Sequence, residues 1–514
     1  MKASNCGKML AAAVSAVAVM AAAVFAQTPV EKHGQLKVVG SQVLDKNNAP
    51  VQLRGMSLYW SIAPNARDFY NADVVKYIRD EWNATLIRAA MGVEDKWGSG
   101  NDQAGYVNGN NSGGVQNEVR VTRVVEGAIE HGMYVIIDWH SHYADEYRQQ
   151  SIEFFQGMAR TYKDYPNVIY EIFNEPKEQV WATTIKPYAQ AVVDAIRAID
   201  PNNLILIGTR QWCQQPLESA SNPVNGENLA YVMHFYAASH KESLRTNTFR
   251  ALRQNKAIFV SEFGIGSADG NGQPDIESSN MWMDFMDQFK LSWANWSLST
   301  VSEISAALKS GASTTPGVGG VNWGDNNLTT SGLYISNRLK TPPSTEKSFY
   351  TLTVDVVGSG NVYQGTASTG DPNQIYYKGA NNANVTLRAV PSAQGGWTFT
   401  GWNVNGEDKG SASTIQVAAG GSADVAVTAT FTSSTSAIQT APLVSRAKRF
   451  GISQNGANLR IVGTSQETPI RIYNLNGKLL MSRSAMPNEV ISVSNLARGT
   501  YVVKALGNSV RIVR

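Results

Sequence analysis

Eight short apolar runs, separated by longer amphipathic stretches, limit what residues 51–298 can fold into. In order they read VQLRGMSL, ATLIRAAM, YVIIDWH, VIYEIFNE, NLILIG, YVMHFY, AIFVSEFG and LSWANWSL. Helical patterns lie between them, for example over Ala72–Trp82, Val119–His131 and Ile185–Ile199. Runs rich in Val, Ile and Leu suit strands covered on both faces, hence a parallel sheet with helices outside it. Eight such units within residues 34–340 predict an α/β fold, a (β/α)8 TIM barrel. A doubly wound open sheet is the rival, but it usually needs fewer strands and no closure.

The chain has 514 residues, too many for one ordinary domain, and its pattern changes along its length. Lys2 and Lys8 precede the apolar run MLAAAVSAVAVMAAAVFA, which ends in small residues at Ala26. That is the layout of a signal peptide over 1–26, and its Ala-rich, weakly hydrophobic run favours cleavage over a membrane anchor. Cys6 lies in that segment, so the mature chain keeps Cys213 alone and is held together without an internal disulfide. A linker-like TPPSTEK marks 341–349. Residues 350–432 alternate with period two between Gly, Asn and Ser turns, as a small all-β module does. A Ser/Thr-rich break at 433–442 leads to a second β-patterned module, 443–514, in which Asn476-Gly477 is a hairpin signal. This last module carries 11 Lys/Arg against two Asp/Glu, so the net +3 of the chain hides a basic tail on an acidic remainder.

The run YEIFNEPKE ends a strand pattern on an acid and forbids its continuation with Pro176. In a parallel barrel the site sits at the C-terminal ends of the strands. Glu175 ends the fourth run and Glu262, in IFVSEFG, ends the seventh, so the two would face each other across the barrel mouth. Two facing carboxyl groups are what glycoside hydrolysis requires: one protonated to assist the leaving oxygen, one ionised to attack the anomeric carbon. Trp60, Trp139, Trp212 and Trp296 fall at or just after strand ends, where aromatic faces would stack on sugar rings. Trp181 and Trp282, on helical stretches, suit the core instead. His140, His142 and His234 also lie near strand ends with Asp138 close by, but no metal-ligand spacing such as HExxH appears, and metal-free chemistry needs fewer assumptions.

The ordered motifs IRAAM, IIDWH, EIFNEP, MHFYAASH, VSEFG and WANWSLS resemble the cellulase-type enzymes of glycoside hydrolase family 5 over about residues 34–340. The resemblance implies Glu175 as acid/base and Glu262 as nucleophile. It implies Asn174 on the sugar 2-hydroxyl, Arg88 and Tyr236 holding the nucleophile, His140 and His234 completing the polar shell, and Trp296 under the substrate. Trp60, Trp212 and Glu303 are further binding or supporting residues. Glu262 then needs a low pKa, favoured by a guanidinium, and Glu175 a raised one, favoured by ionised Glu262 about 5 Å away. Two departures from the family pattern stand out. GMSLYWS lacks the histidine many relatives carry there, and Thr300-Val301 replaces their Asp-Lys, although Glu303 matches. The 350–432 module resembles a divergent bacterial repeat related to internalin B-repeats, in which Trp397 and Trp402 are expected as core residues. The terminal module, with IRIYNLNGKLL and LARGTYVVKA, resembles C-terminal sorting domains of the type IX secretion pathway.

These readings predict a secreted or cell-surface endo-β-1,4-glucanase, monomeric and cofactor-free, with no metal, nucleic acid or membrane span. Its partners would be a β-glucan and, for the terminal module, secretion machinery or a cell-surface component. The same machinery acting on mannan, xyloglucan or mixed-linkage glucan is one alternative, and a non-catalytic carbohydrate-binding protein is another.

Overall fold

The computed structural model describes residues 27–95, 104–108, 113–365, 376–379, 383–419 and 423–433, and then 451–455, 458–462, 468–474, 478–485, 489–497, 499–505 and 508–513. The signal-peptide segment, the 433–442 break beyond Ser433 and the Asn476-Gly477 turn lie outside them.

Each of the eight apolar runs forms a strand: β1 Arg54–Leu58, β2 Leu86–Gly92, β3 Tyr134–His140, β4 Val168–Glu171, β5 Leu204–Ile207, β6 Leu229–Tyr236, β7 Ile258–Gly264 and β8 Trp293–Leu298. They pair in chain order, all parallel, and β8 closes on β1. Alternation along each strand sorts the side chains into two cores. Leu86, Ile136, Ile169, Leu204, Leu206, Val232 and Phe259 point inward and fill the barrel. Ile87, Val135, Ile137, Tyr170, Ile205 and Ile207 join the layer beneath the helices. The inner core is closed at one end by Leu36 and Val43 from the segment that carries a hairpin, Lys37–Val39 with Gln42–Leu44.

Local chemistry sets the helices. Ala72–Trp82 begins where the Asn71 side chain accepts from Val74 N, and ends at Asn83 in the left-handed region (φ 60°). Its buried stripe is Val74, Val75, Ile78 and Trp82, and each such apolar side chain contributes about 1.5–3 kcal/mol by leaving water. The Val119–His131 pattern is the greater part of a helix over Gly113–Glu130. The Ile185–Ile199 pattern becomes a π turn, Trp181–Ile185, running into Lys186–Arg197.

The linker-like stretch after the last barrel helix is pinned. Ser344 N donates to Asp287, Ser348 and Phe349 N both donate to Gln288 Oε1, and Gln288 Nε2 donates to the Phe349 carbonyl. The Phe349 ring packs edge-on against Phe285. Beyond it lie a five-stranded and a three-stranded sheet. Trp402 is buried between Phe399 and its neighbours in that module's own core, and Trp397 packs against the same core. The chain divides into two compact units, with residues 436–514 forming the second. Its described strands build a three-stranded and a four-stranded antiparallel sheet around Ile470, Ile472, Val503 and Ile512.

Candidate active site

Toward the C-terminal ends of the strands the inward positions turn polar. Leu86 is followed two residues later by Arg88, Ile136 by Asp138 and His140, Ile169 by Glu171, and Val232 by His234, all buried. Arg88 organises this layer. Its Nε donates to Glu171 (2.7 Å), Nη1 to Glu262 (3.0 Å) and Nη2 to Asn174 Oδ1 (2.6 Å), while Nη2 also lies 2.9 Å from Asp138. One guanidinium thus serves three buried carboxylates, and its own pKa rises well above the ordinary value: their charges outweigh the burial that would lower it.

A bulge delivers the seventh-strand acid. Between the pairs Val232–Phe259 and His234–Glu262, β7 holds one residue more than β6. Two consecutive side chains, Ser261 and Glu262, are thereby both turned to the polar layer. Ser261 Oγ reaches Glu171 (2.6 Å) and His234 Nε2 (2.9 Å), and Tyr236 donates its hydroxyl to Glu262 (2.8 Å). The fourth run stops being a strand at Glu171, so Glu175 stands four residues past the strand rather than at its end. That segment is still tied to β3 and its loop, through Asn174 N to the Trp139 carbonyl and Glu175 N to the Ser141 carbonyl.

Glu175 is bracketed by two imidazoles. His234 Nδ1 lies 2.9 Å from its Oε1 and His142 Nε2 lies 3.2 Å from its Oε2. Donor atoms of Glu175, His234 and Glu262 approach within 4.8 Å of one another. An ion there would have to displace hydrogen bonds that Arg88, Tyr236, Ser261 and His142 already make.

The ionisation pattern of the site reverses the expectation. Burial alone would raise Glu175, but the hydrogen bonds from His142 and His234 outweigh it and hold the carboxyl below the usual range. Burial and ionised Glu175 together push Glu262 up, although His234, Arg88 and Tyr236 pull the other way. At Glu262 burial prevails over an Arg88 that is shared among three acids, whereas each oxygen of Glu175 has its own histidine partner. His140, 2.7 Å from Asp138, is driven well below its ordinary value by burial and by the Arg88 charge.

The aromatic residues separate. Trp139 is fully buried among Tyr106, Phe154 and Phe155, so it belongs to the core and not to a sugar platform. Trp181 and Trp282 are buried as expected. Trp60, Trp296 and Glu303 line one hollow with His140, Asn174 and Glu262; Trp296 stacks parallel to His140 at 5.3 Å, and Tyr59 donates to Glu303. Trp212, 40% exposed, borders an adjoining cavity of about 490 Å³ with Glu175, His142, His234 and Tyr236. It is carried there by three successive residues in the left-handed region, Gln211, Trp212 and Cys213. A larger hollow of about 670 Å³ is lined by the hairpin and by residues preceding β6 and β7; Glu227 is its lone acid.

Every site residue expected from the sequence except Trp139 therefore lies in or beside this layer. The sequence reading left Glu171, Ser261 and His142 without a role. A glutamate inside an apolar strand run was the available signal for Glu171, since such an acid needs a buried cation. Nothing local reveals Ser261, because the bulge that aims it depends on pairing with β6.

Residues 44–302 match the family model described as Cellulase (glycosyl hydrolase family 5), and residues 453–514 match the Secretion system C-terminal sorting domain. The chain is 45% identical over 313 residues to an endoglucanase of Clostridium saccharobutylicum and 44% identical over 269 residues to endoglucanase Z of Dickeya dadantii. These matches take in 60% and 52% of this chain and span 65% and 60% of those relatives' length. Among solved structures, one from Cytophaga hutchinsonii is 40% identical with a TM-score of 0.56, covering 61% of this chain and 97% of that one. The catalytic domain of Thermobifida fusca endoglucanase Cel5A is 30% identical with a TM-score of 0.55, covering 61% of this chain and all of that one. Among the described residues no helix is long and apolar enough to cross a membrane. A barrel closed by eight parallel strands, two acids meeting at its mouth and a family match over half the sequence lead to one conclusion: the chain belongs to glycosyl hydrolase family 5.

Proposed function

We propose that this protein is an exported endo-β-1,4-glucanase that cleaves internal bonds with retention, using Glu175 as acid/base and Glu262 as nucleophile. The observation that carries the reading is the approach of the two carboxyl groups to within 4.8 Å. Retaining enzymes hold theirs about 5–5.5 Å apart, whereas inverting ones leave about 6.5–9.5 Å for a water. Glu262 attacks the anomeric carbon as Glu175 protonates the departing oxygen; Glu175 then takes a proton from the water that releases the sugar. Asn174, with its carbonyl oxygen committed to Arg88, keeps its amide N–H groups for a sugar hydroxyl. Trp60, Trp296 and Trp212 offer ring faces along the cleft. That the relatives are named endoglucanases supports a glucan, and not mannan, as the substrate. Reducing-sugar release from a panel of soluble polysaccharides tests this. Release from carboxymethyl cellulose is expected; release from mannan alone overturns the substrate, and binding without release overturns the enzyme.

Val301 packs against the cluster of Tyr59, Ala63 and Trp296 beside the cleft. Val301→Lys is expected to lower KM for cello-oligosaccharides up to about tenfold with kcat kept, since a charged hydrogen bond contributes about 1.5–3 kcal/mol at best. Steady-state kinetics decide it; an unchanged KM in the folded variant means the new ammonium reaches no sugar.

The 350–432 module is read as a spacer or surface module, and the terminal module as a sorting address that leaves the enzyme in the medium or on the cell surface. Cutting at Ser434, just ahead of the second compact unit, is expected to keep kcat/KM on soluble substrate within about twofold. The truncated gene expressed in the native host should redistribute activity among cells, surface and medium. Unaltered distribution rejects the sorting role.

A further inference from the structure

The acid/base raises a question of supply. A retaining enzyme must begin its cycle with a proton available to Glu175, yet His142 and His234 favour the ionised form of this carboxyl.

A chain of short contacts runs from the barrel centre to Glu175. Glu171 accepts Arg88 Nε on Oε2, and its Oε1 lies 2.6 Å from Ser261 Oγ. Glu171 is therefore an ionised acceptor, and the single hydroxyl proton of Ser261 is spent on it. At 2.9 Å from His234 Nε2, Ser261 Oγ can then only accept, so Nε2 carries a hydrogen. With Nε2 fixed as the donor, a neutral His234 ring has a bare Nδ1. The 2.9 Å contact between Nδ1 and Glu175 Oε1 then requires exactly one proton, from whichever side. The imidazole is fully committed at both nitrogens and is buried.

We propose that Ser261 and Glu171 are positioning residues that lock the tautomer of His234, so that the proton Glu175 delivers to the leaving oxygen is stored between His234 and Glu175 in the free enzyme. The inference rests on the retaining glucanase reading above.

The charged groups around the ring agree. Glu171 faces it from β4, Glu262 from β7 and Glu175 from the loop after β4; Asp138, His140 and Arg88 stand behind them on β3 and β2. Burial would lower the imidazole, but Glu262, Glu171 and Glu175 outweigh it and raise it to about 9. The resting pair is thus imidazolium and carboxylate. As the glycosidic oxygen enters, the Nδ1 proton moves to Glu175 and Glu175 protonates the oxygen. The C–O bond breaks with its electron pair on the leaving group, and the sugar joins Glu262. This leaves His234 neutral and Glu175 ionised. The water of the second step gives its proton to Glu175, its hydroxyl takes the sugar from Glu262, and the pair regains what it spent.

Ser261→Ala removes the Nε2 acceptor and leaves Glu171 3.7 Å away. The ring is then free to be neutral with its hydrogen on Nδ1 toward ionised Glu175, a state without a proton to give. Turnover of β-1,4-glucan is expected to fall about five- to tenfold between pH 9 and pH 10 and to change little at pH 7. The alkaline limb of kcat/KM should move about one unit toward lower pH. Aryl cellobiosides with good leaving groups should change less than about threefold, since they need little protonation. Ser261→Thr, which keeps the hydroxyl, should restore both, and thermal unfolding checks that each variant folds. Spectra of wild-type protein labelled with 15N-histidine read the site without any variant: His234 should hold hydrogens on both nitrogens at pH 7 and lose the Nδ1 hydrogen near pH 9. A bare Nε2 in the wild type overturns the proposal, as does a folded Ser261→Ala enzyme with unchanged pH limb and leaving-group dependence. If the wild type cleaves no glucan, the enzymatic reading fails while the 15N spectra still decide where the proton sits.

Discussion

Glu175→Ala is expected to lower kcat on β-1,4-glucan by about 10²–10⁴-fold, the range general acid–base catalysis supplies. Its oxygens are held by His142 and His234, and its own carboxyl meets Glu262 within 4.8 Å, so no neighbouring acid is left to take its place. The loss should depend on the leaving group. Bond cleavage in aryl glycosides that leave readily survives best, because protonation matters little there. Release of the covalent sugar still slows, because the same residue is the later base. Azide needs no base and should attack the stalled intermediate, giving a glycosyl azide and recovering turnover on the activated substrate. A variant that hydrolyses natural and activated substrates at wild-type rates would remove Glu175 from the acid/base role.

Arg88→Met should have the largest effect on stability. The side chain is fully buried and contacts Asp138, Glu171 and Glu262 at 2.7–3.0 Å. Removing one partner from a buried charge cluster costs about 3–5 kcal/mol, because the remaining charges have neither water nor a counter-ion. The sign with pH follows from those acids. Without the guanidinium their folded-state pKa values rise above the unfolded ones, so the variant is hurt least where they are protonated and most above the unfolded carboxylate range. Urea unfolding at pH 4.5 and 7.5 should show the gap to wild type widening at the higher pH. Activity should vanish with it, since Glu262 loses the cation that favours its ionised form. Wild-type stability at pH 7.5 would mean that another cation compensates the cluster.

The two kinds of information in this protein divide along physical lines. Local pattern was enough for the barrel. Apolar runs of strand length between amphipathic stretches leave few other ways to bury both faces of each strand, and all eight runs became strands in one closed sheet. The same pattern put Glu175 and Glu262 at one end, because strands of a parallel barrel all point the same way. Period and propensity are properties of neighbours in the chain, and for these features neighbours suffice. Arg88 entered through the resemblance to family 5 and not through the pattern.

Other features depend on residues far apart in sequence. Trp60 and Trp139 both fall beside strand ends, but Trp139 turns under Phe154 and Phe155 while Trp60 meets His140 at the cleft. A shift of one position on a strand reverses the face, and the register that sets it is fixed by the partner strands. The bulge in β7 exists only against β6, and without it Ser261 and Glu262 could not both serve the same polar layer. The ionisation of the two acids was decided last. Arg88 and Glu262 are 174 residues apart, and His234 and Glu175 are 59 apart. The sequence by itself determined that Glu175 and Glu262 would stand at the mouth of the barrel. Only the tertiary structure, by distributing one guanidinium and three imidazoles among four acids, decided where the proton rests.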